Sequence, residues 1–476
     1  MTVVVPEVVT PSTSAPRLRS FLQQCFPTFS ALVLAFLVCF VAPVTFITLH
    51  IHENPAFSPI DEPAQFDYVN RIAEGSMPRL GQRLLPSTLH QISCLGLALQ
   101  GSKLPACPGT DKPSNYDGGY QYEAQQPPTY YALAIPVRWI GVHVFGMSNL
   151  NATREVGAFW VSLGLLTLWM AGRVLRIPVR RLVPAMLLLA CAPVVIYQAS
   201  IVSNDAPSIF CGSVVALVAA LAWNSSGRWT APVLASVAFF VTSIKSVDIL
   251  GPLIVSALFA ILWWGQLDAQ VTSTRSRVRI LFAKWWPNGG ALLVGGVVAA
   301  VSWLIVSRQL NLINPKVLPS LNILRLAPVG VAHVASEAIT LLNPLNGSYG
   351  PFRTTATGTV LGTPSSLSFE LITGIVLQYL FIAAGFGGLF VRRRQWSHWL
   401  GLLSICLLFV VGVILGIGIW RTYNADPGLS GRYGLSAAPL LALALVSAVR
   451  GRWVIAGLWV LSITLCGLTF WYIFAS

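Results

Sequence analysis

Residues 29–49 read FSALVLAFLVCFVAPVTFITL, a run without a single charge. Apolar runs of roughly 18–22 residues like this one recur along the chain and match a hydrocarbon core ~30 Å thick. The reading places spans at 29–49, 156–175, 182–199, 206–223, 230–244, 247–264, 289–306, 368–390, 397–419, 434–449 and 454–474, about 11 in all. The apolar runs are continuous rather than alternating, which excludes a β-barrel. Only 10% of the 476 residues are charged, against about 25% in soluble domains. The expected fold is an all-α polytopic membrane protein, whose 16 Trp suit interfacial positions.

The formal charge of +14 looks like a nucleic-acid signal, but its distribution argues otherwise. With the N-terminus in the cytoplasm, Arg17, Arg19, Arg173, Arg176, Arg180, Arg181, Arg228, Arg275, Arg277, Arg279, Lys284, Arg392, Arg393, Arg394, Arg450 and Arg452 all fall inside, against only Glu7 and Asp268. The remaining charges cancel outside. This is the asymmetry expected of short cytoplasmic loops, and no nucleic-acid partner is implied. Segment 127–147 is apolar, yet counting it as a span would turn the arginine clusters outward. It is expected to lie at the interface or re-enter, with Pro127 and Pro128 in its first turn.

Residues 1–28 lack a cleavable signal and read as a cytoplasmic tail; 29–476 read as one transmembrane domain. Its polar loops, 50–155, 307–367 and 420–433, all face outward. Cys94 and Cys107 lie in the first of these. If that side is oxidising, they close a 14-residue loop with a stabilisation of ~3 kcal/mol on the chain-entropy model. The other six cysteines sit in or beside apolar spans, as small hydrophobes do.

Just past the first span stand Asp61 and Glu62, opening the loop-to-helix segment 58–75 with an apolar stripe of Phe66, Val69, Ile72 and Ala73 and a terminal Gly75. One reading is structural: Asp61 caps the helix, Glu62 favours its dipole and Pro63 fills the first turn. The other is chemical: a rigidly held carboxylate at the membrane surface deprotonates an acceptor hydroxyl that attacks a lipid-anchored donor. Within 120–131, YQYEAQQPPTYY, Tyr122, Gln126 and Tyr130 offer a sugar-binding surface or an aromatic belt. Asn204 and Asp205 lie in an external turn where Asp205 caps the next helix. Lys245 either snorkels to head groups or binds a donor phosphate. Arg421, Arg432 and Tyr433 surround the last external loop, and an arginine fork suits phosphate oxygens. His50 and His52, with Glu53 beside them, form a His-x-His cluster, a weak metal signal because the two His have no defined third ligand. No cofactor is firmly implied, and a divalent metal, though open, has no support. P-loop, GxGxxG, GxSxG and HExxH signatures are absent.

The Asp-Glu pair in a long first external loop, Gln-Pro-Pro-Thr-Tyr-Tyr near its end, the Asn-Asp turn and a late Gly-Arg-Tyr together resemble the GT-C superfamily of polyprenyl-phosphate-sugar-dependent glycosyltransferases. The likeness is strongest to a bacterial, actinobacterial-like branch with a Pro-x-Asp-Glu-Pro-Ala-x-Phe motif. Gln65 stands where that branch is expected to carry His. The resemblance implies a GT-C-like fold in the plasma membrane with an extracytoplasmic site, and inverting transfer to a cell-envelope glycan or glycolipid. Asp61 would be the base, Glu62 its helper, and Arg432 with Lys245 or Arg421 the phosphate holders. Tyr122, Gln126, Tyr130, Asn204, Asp205 and Tyr433 would form the acceptor and sugar surface. The alternatives are a transporter or flippase of a lipid-linked glycan, and an oligosaccharide polymerase or ligase.

Overall fold

The computed structural model describes residues 18–58, 61–97, 119–223, 227–267, 274–310, 396–423 and 430–475, with isolated stretches between 312 and 386. Among these residues the regular elements are helices; β pairing is confined to two isolated bridges, Phe57 with Leu97 and Arg83 with Tyr120. Among the described residues, seven helices are long and apolar enough to cross a membrane, or eight if one bent pair is a single span. The chain is an all-α, multi-pass membrane protein.

In chain order, α1 spans Phe29–Glu53 and contains a π turn at Leu37–Val41. It is followed by α2 (Glu62–Ala73), α3 (Thr129–Phe145), α4 (Asn149–Val174), α5 (Val179–Ala190), α6 (Pro193–Ser200) and α7 (Ser208–Trp223). Then come α8 (Thr230–Ile244), α9 (Leu250–Leu267), α10 (Ala291–Gln309), α11 (Trp396–Tyr423), α12 (Ala438–Ala448) and α13 (Arg452–Ala475). The expected spans at 29–49, 156–175, 247–264, 289–306, 397–419, 434–449 and 454–474 coincide with the seven long helices. Those at 206–223 and 230–244 form the shorter helices α7 and α8. Most of 368–390 lies outside the described residues.

The span expected at 182–199 is instead broken. α5 and α6 meet at an angle of 55°, because Pro193 in the first turn of α6 has no N–H to continue the ladder of α5. The loop expected at 50–155 is also shorter, since α4 starts at Asn149 and takes Arg154 into a helix. Segment 127–147 forms α3, with Pro128 just before its first turn and Pro136 inside it. It packs against α2 and α4 and is not among the candidate crossings.

Close approach of backbones brings the site together. Gly157 of α4 faces the Ala199 carbonyl of α6, where a Cβ would sit 1.9 Å from the oxygen. Gly212 of α7 likewise meets the Ser436 carbonyl, which a Cβ would approach to 2.0 Å. Small residues allow such contacts where lipid offers no hydrophobic drive between helices. The first brings the end of the broken span to α4. The second brings the 3₁₀ turn Gly431–Ala437 onto α7.

Candidate functional site

Between α6 and α7 the chain is not helical, and its buried N–H groups need other partners. They find them in side chains of α2 and of the turn itself. Val202 N–H donates to Glu62 Oε1 at 3.0 Å, Asn204 N–H to Gln65 Oε1 at 2.7 Å, and Asp205 N–H to Ser203 Oγ at 3.1 Å. Gln65 is therefore a backbone acceptor, and the hydroxyl of Tyr131 donates to the same oxygen at 3.4 Å.

Glu62 is fully engaged. Arg154 Nε and Nη2 donate to its two oxygens at 2.7 and 2.9 Å, and Ser58 N–H donates to Oε2 at 2.6 Å. With Val202 that makes two donors on each oxygen. Both side chains are buried, and Arg154 also donates to the carbonyls of Asn54 and Ala56. Glu62 is thus the pin joining α1, α2, α4 and the unwound turn. Its expected role as helper to a base has no open lone pair to work through. Arg154 lies just before the span that hydropathy places at 156–175, so that pattern alone does not single it out. An arginine one turn inside an apolar helix near an unpaired loop carboxylate was the available signal.

Asp61 occupies the N-cap position of α2, but its side chain makes no capping hydrogen bond, which corrects the capping expectation. Its backbone is left-handed, at φ 61°. Strain of this kind costs of order 1–3 kcal/mol and persists where the surroundings impose it. Here the carboxylate is drawn to Arg432, whose Nη2 donates to Oδ2 at 2.5 Å. The Asp61 side chain is 20% exposed, against 11% for Arg432.

Arg432 enters from the turn before α12 and Lys245 from the turn after α8. Asp205 joins them: Lys245 Nζ donates to its Oδ1, and Arg432 Nε lies 3.6 Å from Oδ2. Lys245 is buried, so it does not snorkel. The Asp205 side chain likewise serves these cations, and its expected cap on the next helix is not made. The Tyr433 ring sits against both cations, 4.9 Å from Lys245 Nζ and 5.5 Å from the Arg432 guanidinium carbon. Asp248, one 3₁₀ turn from Lys245, accepts from Ser208 Oγ at 3.4 Å.

Glu123 is the member the sequence reading passed over, although it lies inside the quoted stretch 120–131. It sits buried in the 3₁₀ turn Glu123–Gln125. Burial, then the negative charge of Asp61, pushes its carboxyl up to about 8, against the opposing pull of Arg432 and Lys245. Nothing in a lone glutamate among glutamines marks it; only the fold brings it to Asp61.

Three donors in this group are buried without a hydrogen-bond acceptor among the described residues: Arg432 Nε, Arg432 Nη1 and Asn204 Nδ2. Buried donors are nearly always paired, so such groups call for an explanation. Tyr122 and Tyr130 are buried nearby, and burial raises the Tyr130 phenol above its ordinary range. Gln126 contributes its carbonyl to the Tyr68 hydroxyl at 3.0 Å. Arg421 lies exposed in the last turn of α11, outside the buried group. Cys94 is disulfide-bonded, while Cys107 lies outside the described residues. The two histidines diverge: His50 is buried against Ser200 Oγ at 2.7 Å, and His52 pairs at the surface with Glu53. Among the described residues no three His, Cys, Asp or Glu side chains gather as a metal site would require.

Comparison with protein-family models, with curated proteins and with solved structures returns no match.

Proposed function

We propose that the chain is a membrane-embedded glycosyltransferase of GT-C type, with about 11 spans, a cytoplasmic N-terminus and its site on the extracytoplasmic face of the plasma membrane. It moves a sugar from a polyprenyl-phosphate donor to a cell-envelope glycan or glycolipid. The observation that carries this reading is Arg432: its buried Nε and Nη1 make no hydrogen bond among the described residues, Nε lying 3.6 Å from Asp205, and Nη2 is held by Asp61. A phosphate accepting from Nη1 and Nε has Lys245 close by, across the shared Asp205 carboxylate. It also competes with Asp61 for the guanidinium and frees that carboxylate.

In the proposed step the acceptor O–H bond breaks, its proton passes to an Asp61 oxygen, and the acceptor oxygen bonds the anomeric carbon. The bond from that carbon to the phosphate oxygen breaks on the opposite face, so the configuration inverts. The departing phosphate gains charge and is held by Arg432 and Lys245. General-base assistance supplies about 10²–10⁴-fold, and preorganised cations at the leaving group add a larger share. The test is transfer by membranes carrying Asp61→Asn: activity equal to wild type would remove Asp61 from the base role.

The broken α5–α6 pair and its unwound turn support a second reading. Interrupted helices around buried charges also suit a transporter or flippase of a lipid-linked glycan. Movement of such a lipid across reconstituted vesicles without a new glycosidic bond would favour it. A polymerase or ligase shares the first chemistry and differs in taking a whole oligosaccharide.

A further inference from the structure

The turn bearing Glu123 is fastened on several sides. Glu123 N–H donates to Gln121 Oε1 at 2.8 Å, and Gln121 Nε2 donates to the Ala64 carbonyl at 2.8 Å and to Asp67 at 3.2 Å. The turn is thereby tied to the first turns of α2, directly after Asp61. Tyr68 holds the Gln126 carbonyl, and Trp303 Nε1 of α10 donates to the Gln125 carbonyl at 2.8 Å. Glu123 is therefore held in place, 6% exposed. The charges of Asp61, Asp205, Lys245 and Arg432 act on its carboxyl, and its own charge acts on Tyr68 of α2 and Tyr131 of α3.

Asp61, Glu62 and Asp205 each have a cation within ion-pair distance. Glu123 has none among the described residues. The Arg432 donors left without a hydrogen bond, Nη1 above all, invite an anion, yet that anion must enter beside Asp61 and Asp205. One more ionised carboxylate would repel it, whereas a protonated carboxyl is a donor.

We propose that Glu123 belongs to the anion site of Arg432 and Lys245, donating a hydrogen bond to a ligand phosphate when neutral and expelling that phosphate when ionised. This rests on the reading of Arg432 and Lys245 as phosphate-binding residues. The sign follows from its raised pKa. With the carboxyl pushed up to about 8, Glu123 is mainly protonated at pH 7 and ionises as pH rises through about 8. Phosphate binding is then strongest below that point and weakens above it. A phosphate monoester has its second pKa near ~6, and the little ionisation left above pH 7 adds negative charge, which favours two cations and so opposes the predicted weakening.

The test is binding rather than transfer, using the full chain in lipid nanodiscs, with a short polyprenyl monophosphate and inorganic phosphate as probes. Kd for the polyprenyl phosphate is measured at pH 7.0 and 9.5. Linkage predicts a weakening of about tenfold per pH unit above ~8, or ~30-fold at the higher pH. Glu123→Gln, a neutral donor at every pH, should bind within about threefold of wild type at pH 7 and lose the pH dependence. Equal wild-type affinity at both pH values, or an undiminished fall in Glu123→Gln, overturns the role of Glu123 and leaves the phosphate site standing. No binding by wild type at pH 7 overturns the phosphate reading together with this inference. Inorganic phosphate following the same profile assigns the site to phosphate as such. A response to the lipid alone assigns it to a lipid-linked phosphate.

Discussion

Replacing Arg154 by methionine should be among the most destabilising single changes in this protein. Glu62 is wholly buried, and Arg154 supplies two of its four hydrogen bonds and its only ion-pair partner among the described residues. The variant leaves a buried carboxylate with the N–H groups of Ser58 and Val202 alone. Breaking a buried pair from one side costs about 3–5 kcal/mol, because the remaining charge is uncompensated. Glu62→Leu strands the guanidinium and should cost a comparable amount. The double variant removes both charges but still orphans two N–H groups and the carbonyls of Asn54 and Ala56, at about 1–3 kcal/mol for each that finds no water. It should nevertheless be more stable than the sum of the single losses implies, by roughly 2 kcal/mol or more, as expected for directly bonded partners. Unfolding of purified protein in mixed micelles, followed by tryptophan fluorescence as sodium dodecyl sulfate is raised, measures all three differences. A loss below about 1 kcal/mol for Arg154→Met, or strict additivity, would refute the view of Glu62 as a structural pin.

The remaining expectations are simpler. Asp61→Asn keeps an oxygen for Arg432 and should fold, while transfer in a membrane assay falls by about 10²-fold or more if Asp61 is the base. Lys245→Met leaves Asp205 to Arg432 alone and should weaken polyprenyl phosphate binding at least about tenfold, one lost charge-assisted contact being worth ~1.5–3 kcal/mol; unchanged affinity by calorimetry would exclude Lys245 from the site. Gly157→Val pushes a branched side chain into the Ala199 carbonyl. Overpacking of this kind costs about 1–3 kcal/mol, visible as a lower midpoint in the same micelle titration. Gln65→Leu removes the acceptor for Asn204 N–H, a buried orphan worth about 1–3 kcal/mol, whereas Gln65→Glu retains an acceptor and should be milder.

The membrane class was legible from the chain alone because twenty-residue apolar runs have one stable solution in a bilayer. The helix after Asp61 was legible too: Phe66 and Val69 of its stripe are buried, and Gly75 follows it with positive φ. Asp61, Asp205, Lys245, Arg432 and Tyr433 were each marked locally, as polar residues beside apolar spans, and the fold gathers all five. Their partners were not marked. Local patterns assign a cap to Asp61 and to Asp205 and a snorkelling role to Lys245, since each of these needs only near neighbours in sequence. Tertiary packing offered stronger partners: Arg432 lies 371 positions from Asp61, Lys245 lies 40 from Asp205, and Arg154 lies 92 from Glu62.

Hydropathy is additive along a chain, so composition and spacing determined that this protein is helical and crosses a membrane. Burial and charge pairing are not additive, because they depend on which backbones can touch. Glycines at 157 and 212 allow two such contacts, and Pro193 breaks the span whose unwound end Glu62 and Gln65 must satisfy. Only the tertiary structure could make Glu62 a pin, tie Asp61 to Arg432, and bury Glu123 in a turn fastened to the helix that follows Asp61.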